Sequence, residues 1–230
     1  MNTILQQLHL VHDRIAAAAT ACERHPDEIQ LLAVSKTKPV ADLLSAYQAG
    51  QRQFGENYVQ EAIDKIQALK SDCPDICWHL IGPLQSNKTR QVAEAFDWVQ
   101  SVDRLKIAER LSAQRPGNMR PLNICLQVNI SKEANKSGLL PEDVAALAAK
   151  IDSLPGICLR GLMAIPEATD DSDKLTTQLL ELRQLFDRMA EKYPDLDTLS
   201  MGMSNDLELA VACGSTLVRV GTAIFGSRNS

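Results

Sequence analysis

Residues 29–69, IQLLAVSKTKPVADLLSAYQAGQRQFGENYVQEAIDKIQAL, hold the repeating unit of the fold twice over. Ile29–Val34 is a short apolar run of strand length, ending at Ser35-Lys36. Beyond Pro39, residues 40–49 place apolar side chains at the three- to four-residue spacing of a helix with one buried face. A second short run, Gln53–Phe54, stops at Gly55, and residues 57–69 return to the helical period. The alternation then continues along the chain. Candidate strands at Ile76–Leu80, Trp98–Val102, Asn123–Val128, Ile157–Met163, Thr198–Ser200 and Leu217–Val220 are separated by helical stretches near 86–95, 103–114, 141–151, 172–192 and 204–213. Residues 2–24 form a lead-in helix, with Ile4, Leu8, Val11 and Ile15 on one face. Alternating strands and helices imply a parallel sheet with helices outside. Eight such strands imply closure, because an open sheet of that size leaves two edges to protect. The predicted fold is α/β, a single (β/α)8 TIM barrel with an extra N-terminal helix, one domain over residues 1–230.

Composition narrows the function classes. The chain is 45% hydrophobic and 23% charged, which is ordinary for a globular protein, and its net charge of −5 argues against a general attraction to nucleic acid or anionic membrane. Its six cysteines are scattered, and Cys125 and Cys158 sit inside apolar runs as small core residues. Cys73, Cys77 and His79 make a C-x3-C-x-H cluster with no second half elsewhere, so no metal site is expected. His9, His12, Asp13 and Arg14 interrupt the N-terminus too early for a signal-peptide core, and no apolar run reaches the length of a membrane span. A reduced, cytoplasmic setting is the expectation.

In such barrels the chemistry sits at the carboxyl ends of the strands. Lys36 lies two residues past Val34, where its amine would point over the barrel mouth, with a second cation at Lys38. Burial and a neighbouring cation both disfavour an ammonium, and a free amine is what a Schiff-base nucleophile needs; a solvated loop lysine is the plainer alternative. After the second strand, Gly55 permits a turn, and Asn57 either caps the next helix or faces the site. His79, ahead of Gly82-Pro83, is an interior histidine or a site residue, and Met163 either packs in the core or lies against a planar ring. The loop Ser131–Gly138 is polar and carries Lys132 and Lys136.

The loops after strands seven and eight carry Ser200, Gly202 and Ser204, then Gly221 and Thr222. Barrels often bind phosphate there, through backbone N–H groups and hydroxyls; a helix cap is the alternative for Ser204. Asp206 and Glu208 would repel a phosphate and are expected to point away from it. Arg219, within the last strand, completes a constellation of amine, cation and anion cradle. Pyridoxal 5′-phosphate has three matching handles: an aldehyde carbon, a ring nitrogen and a phosphate.

The segments AVSKTKP (33–39), FGENYVQEA (54–62), WHLIGPLQSNK (78–88), SVDR (101–104), LQVNI (126–130), KSG (136–138), RGLMAI (160–165), LSMGMSND (199–206) and GSTLVRVGTAIFGSR (214–228) resemble the pyridoxal phosphate homeostasis protein family, in order and at family-like spacing. The resemblance implies a fold-type III barrel like the N-terminal domain of alanine racemase, with the vitamin B6 cofactor held as a Schiff base on Lys36. It also implies phosphate contacts from Ser204 and its neighbours and from Gly221 and Thr222, and Arg219 facing the pyridine nitrogen. Family members are regarded as regulators of cofactor balance, so pyridoxal-phosphate-requiring apoenzymes are the expected partners and no catalytic residue is assigned.

Two considerations weigh against efficient turnover. A fixed cation at the ring nitrogen opposes its protonation, which weakens the ring as an electron sink. The alanine-racemase-like enzymes add a β domain carrying a tyrosine base, and the sequence is expected to lack one, since it ends soon after the eighth strand. A racemase needs acid–base groups on both ring faces, and Lys36 supplies one. A carrier is therefore expected, a low-activity racemase is the alternative, and a monomer follows from the missing domain. A lysine aldolase without cofactor fits the barrel but leaves Arg219 unexplained.

Overall fold

The computed structural model describes residues 3–226. Eight strands close into a parallel barrel in chain order: β1 (Gln30–Val34), β2 (Gln53–Glu56), β3 (Cys77–Leu80), β4 (Trp98–Val102), β5 (Leu122–Val128), β6 (Ile157–Ala164), β7 (Thr198–Ser200) and β8 (Leu217–Val220). Closure is made by β1 against β8, with Gln30 opposite Leu217 and Ala33 opposite Val220. The strands are wrapped by α1 (Ile4–Ala21), α2 (Val40–Gln48), α3 (Val59–Leu69), α4 (Thr89–Ala95), α5 (Leu105–Gln114), α6 (Val144–Ile151), α7 (Ser172–Ala190), α8 (Leu207–Ala212) and the short α9 (Thr222–Phe225).

Burial follows the period-2 alternation of strands. Leu31, Ala33, Phe54, Trp78, Leu80 and Val99 belong to the large apolar core, together with helix residues such as Leu43, Val92 and Leu182. The barrel interior has a different chemistry. Gln100 on β4 accepts a hydrogen bond from Ser200 on β7, at 2.6 Å. Those strands are not neighbours in the barrel, so the two side chains meet only across its interior. Both are fully buried, as are His79 and, at 4% exposed, Arg219.

The expected elements are present, with four informative differences. α1 ends at Ala21 and a 3-10 turn, Pro26–Glu28, follows it, because Pro26 presets a turn and His25 caps it. β2 continues through Gly55 to Glu56, so Gly55 is a strand residue and not the turn. α3 starts at Val59, leaving Asn57 outside the helix with no capping role. α8 starts at Leu207, since Asp206 folds back and its carboxylate accepts the Met203 N–H at 2.7 Å. Both departures at helix starts free a polar residue, Asn57 or Ser204, from the cap for which it competed.

The lead-in helix is tied to the carboxyl face. α1 packs against α8 and α9, and Arg14 donates to the Ser204 carbonyl at 3.0 Å while pairing with Glu208 at 2.8 Å. Glu208 is thereby turned outward, as its sequence position suggests.

Candidate cofactor-binding site

Residues at the carboxyl ends of β1, β2, β3, β6, β7 and β8 converge on a cavity of about 320 Å³. Its lining includes Lys36, Asn57, Ser204, Arg219, Gly221 and Thr222, with Val34, Ile81, Ile165 and Met203 as apolar walls.

Lys36 is half-buried at this mouth, and its side chain makes no hydrogen bond or ion pair among the described residues. Its neighbours are held rigidly. Ser35 is buried; its hydroxyl donates to Glu56 at 2.6 Å, and its carbonyl accepts from Lys65 Nζ at 2.7 Å. Thr37 adopts φ 62°, a left-handed conformation rare for a β-branched residue, and its N–H donates to Glu61 at 2.6 Å. Lys65, buried, pairs with Glu56 at 2.8 Å and Glu61 at 2.6 Å. Burial pushes the Glu56 carboxyl up, opposed by its bonds from Lys65 and Ser35. A buried cation and two carboxylates thus pin the residues on either side of Lys36. The second cation, Lys38, is occupied elsewhere: its Nζ donates to the carbonyls of Phe225 and Gly226 at 2.9 and 3.0 Å.

The opposite wall has the properties of an anion cradle. Thr222 Oγ1 donates to Ser204 Oγ at 3.3 Å across the gap between the two loops. The N–H groups of Ser204 and Asn205 make no hydrogen bond among the described residues, and the first-turn N–H groups of α9 are those that a helix leaves without internal acceptors. Gly202 is required here: its φ is +94°, and a Cβ would lie 2.5 Å from that of Ala210. On the β2 side, Gly82 allows the loop after β3 to press against Asn57, whose carbonyl would be 2.1 Å from an added Cβ. That contact fixes Asn57 with its Oδ1 buried and unpartnered, a polar atom placed to meet a ligand.

Arg219 lines the same cavity. It donates to Ser200 Oγ at 2.7 Å and to the Ala164 carbonyl at 2.8 Å, and no carboxylate pairs with it among the described residues. Burial holds its guanidinium down to about 10, so it remains a cation at neutral pH.

The structure therefore brings six of the expected residues, Lys36, Asn57, Ser204, Arg219, Gly221 and Thr222, around one cavity. It leaves four outside the lining. His79, Ser200 and Met163 point into the packed barrel interior beneath the mouth, and Gly202 acts through backbone shape. These four lie beneath or beside the cavity, in the layer that supports its lining. His79 accepts from Gln100 at Nδ1, 2.9 Å, and its Nε2 is 2.7 Å from Gln53 Oε1. Cys77, 3.5 Å from the same nitrogen, is a thiol that burial pushes up to about 12.

His79 has a measurable consequence. Burial holds its imidazole down to about 3, against 6.5 for a solvated histidine. Between those values the unfolded chain binds one more proton than the folded one, so stability falls as pH is lowered through this window, by ~1.4 kcal/mol per pH unit at full slope. Denaturant unfolding from pH 7 to pH 5 should cost the wild type ~2 kcal/mol more than His79→Gln; equal pH slopes would show that His79 is not held neutral.

A larger concavity, about 610 Å³, lies at the amino ends of the strands, lined by Arg24, Arg160, Arg183 and Trp98. Its arginines are engaged with Glu28, Asp197 and Asp187 and with backbone carbonyls. This face of a barrel serves stability.

The family model for the alanine racemase N-terminal domain matches residues 11–229. The pyridoxal phosphate homeostasis protein of Haemophilus influenzae is 53% identical over 228 residues, covering 98% of this chain and 96% of that protein. PipY of Synechococcus elongatus, solved with PLP bound, is 42% identical at a TM-score of 0.79, covering 92% of this chain and all of that one. An alanine racemase from Clostridium difficile shares the fold at a TM-score of 0.76 but only 13% identity, and the match spans 57% of it.

Proposed function

This chain belongs to the pyridoxal phosphate homeostasis protein family, built on the alanine racemase N-terminal domain, and from that premise we propose that it binds pyridoxal 5′-phosphate and serves as its carrier and regulator. One observation carries this assignment to these residues: a half-buried amine, a buried cation without a carboxylate and two facing loops with free N–H groups and hydroxyls share one cavity. Each fits one handle of the cofactor, and the orphaned Asn57 Oδ1 awaits a donor. When bound, pyridoxal phosphate supplies an aldehyde that condenses with a primary amine.

The chain's own residues then divide the work. Lys36 offers the amine, with Ser35 and Thr37 anchored on either side of it. Ser204, Gly221 and Thr222 hold the phosphate through N–H and O–H donors, and Arg14 steadies the Ser204 turn from outside. Arg219 faces the ring nitrogen and keeps it unprotonated, because adding a second positive charge beside a buried cation is unfavourable. Val34, Ile81 and Ile165 supply apolar surface for the ring.

Carriage is favoured over racemisation because, among the described residues, the cavity lining holds no carboxyl, histidine, cysteine or tyrosine to act opposite Lys36, and Lys38 is engaged with backbone carbonyls. Among the described residues no tyrosine lines the cavity: Tyr47 donates to Asp75, Tyr58 is 55% exposed and Tyr193 lies buried at the amino end. The proposal includes a monomeric, cytoplasmic protein that gives its cofactor to pyridoxal-phosphate-requiring apoenzymes. Two measurements test it. Loaded protein should donate cofactor to an apoenzyme with a trapping agent for free cofactor present, and should leave the α-proton of L-alanine unexchanged in deuterated water. Sustained exchange would make it an enzyme, and transfer abolished by the trap would remove direct delivery.

A further inference from the structure

One polar residue on each of five strands is turned into the barrel interior: Gln53 on β2, His79 on β3, Gln100 on β4, Ser200 on β7 and Arg219 on β8. They are joined end to end. Arg219 Nη1 is 2.7 Å from Ser200 Oγ, Ser200 Oγ is 2.6 Å from Gln100 Oε1, Gln100 Nε2 is 2.9 Å from His79 Nδ1, and His79 Nε2 is 2.7 Å from Gln53 Oε1.

The direction of the chain follows from its first member. A guanidinium has donors and no acceptor, so Ser200 must accept from Arg219 and send its own proton onward to Gln100. Gln100 therefore presents its carbonyl to Ser200 and its amide N–H to His79. His79 must then be bare at Nδ1 and protonated at Nε2, where it donates to Gln53. Every acceptor faces towards Arg219, so the dipoles stabilise the buried cation as a carboxylate would, yet none of them cancels its charge. The groups facing His79 agree with a neutral ring: Trp98 stacks on it with centroids 5.2 Å apart, Arg160 lies over the Trp98 ring at 5.1 Å, and among the described residues Cys77 is the titratable side chain that touches it.

We propose that Ser200, Gln100 and His79 are positioning residues for Arg219, a one-way chain of hydrogen bonds through the barrel that aims the guanidinium at the cavity and solvates it without neutralising it. Its functional meaning rests on the assignment of Arg219 to the cofactor's ring nitrogen.

The chain itself is tested without cofactor. In 15N-labelled protein, with the His79 signals identified by their loss in His79→Gln, His79 should show a protonated Nε2 and a bare Nδ1, unchanged from pH 8 to pH 5. A protonated Nδ1, or titration near 6.5, overturns the chain even if cofactor binds normally. Gln100→Glu supplies acceptors to both neighbours and should move the proton of His79 to Nδ1; an unmoved proton again overturns it. Gln100→Met, close in size, breaks both links and should weaken pyridoxal phosphate binding about tenfold. It should also shift the resonance of a 15N-labelled pyridine nitrogen in the bound cofactor, because Arg219 is no longer held in one orientation. A pyridine resonance identical to wild type with undiminished affinity would remove the positioning role. Failure of wild-type protein to bind pyridoxal phosphate at all would instead sink the functional assignment, leaving the His79 result to stand alone.

Discussion

Replacing Lys36 by alanine is expected to lower the affinity for pyridoxal phosphate about 100-fold, ~2.7 kcal/mol. The reason is structural as well as chemical. Ser35 and Thr37 are held by Glu56, Lys65 and Glu61 whatever side chain stands between them, so the substitution removes an amine and leaves the loop's frame in place. The cradle of Ser204, Gly221 and Thr222 remains and should retain a weakly held cofactor. Equilibrium dialysis gives the affinity. Borohydride reduction followed by peptide mapping should fix the pyridoxyl group on the peptide carrying residue 36 in wild type. Unchanged affinity in Lys36→Ala would show that the amine contributes nothing to holding the ligand.

Replacing Lys65 by methionine should destabilise the fold by ~3–5 kcal/mol, as expected when one partner of a buried ion pair is removed. Glu56 is fully buried, and its Oε2 already lacks a partner. Without Lys65 Nζ at 2.8 Å its charge would be held by the Ser35 hydroxyl alone. The sign of the pH dependence is diagnostic. A carboxyl whose folded pKa lies above its unfolded value takes up its proton in the folded state first, so the loss should shrink as pH is lowered from 7 to 5. The double replacement Lys65→Met with Glu56→Gln should recover at least half of the loss. Denaturation midpoints at the two pH values decide the matter; a single-variant cost below ~1 kcal/mol would mean that this pair is solvated and does not pin Lys36.

The barrel was legible in the sequence because its signal is repetitive. Eight short apolar runs alternating with amphipathic stretches admit few folds, and even the three-residue strand Thr198–Ser200 has the bounds its pattern predicts. The rim residues were legible for a related reason: Lys36, Ser204, Gly221 and Thr222 directly follow strands, where position alone assigns a face. What escaped were side chains whose partners are remote in sequence. Lys65 has an i,i+4 acid at Glu61 and looks like a surface pair, and only folding brings it under Ser35 and Glu56. His79 and Ser200 are buried in the barrel interior, outside the cavity lining, a depth that their positions near strand ends do not reveal. A usable clue was present: Gln53, His79, Gln100, Ser200 and Arg219 are polar residues within or at the ends of otherwise mostly apolar runs. Polar residues at inward positions of several strands must satisfy one another, which makes an internal network the expected outcome. Helix starts were misplaced at Asn57 and Ser204 because a polar residue before a helix fits a cap and a ligand contact equally well.

A crystal structure of the protein grown with pyridoxal 5′-phosphate tests the central claim most directly. Continuous density from Lys36 Nζ to a pyridine ring is predicted, with Arg219 at the ring nitrogen and the phosphate between Ser204 and Thr222. Lys36 carrying nothing, with the two loops empty or the cofactor bound at the arginine-lined amino end, would contradict it.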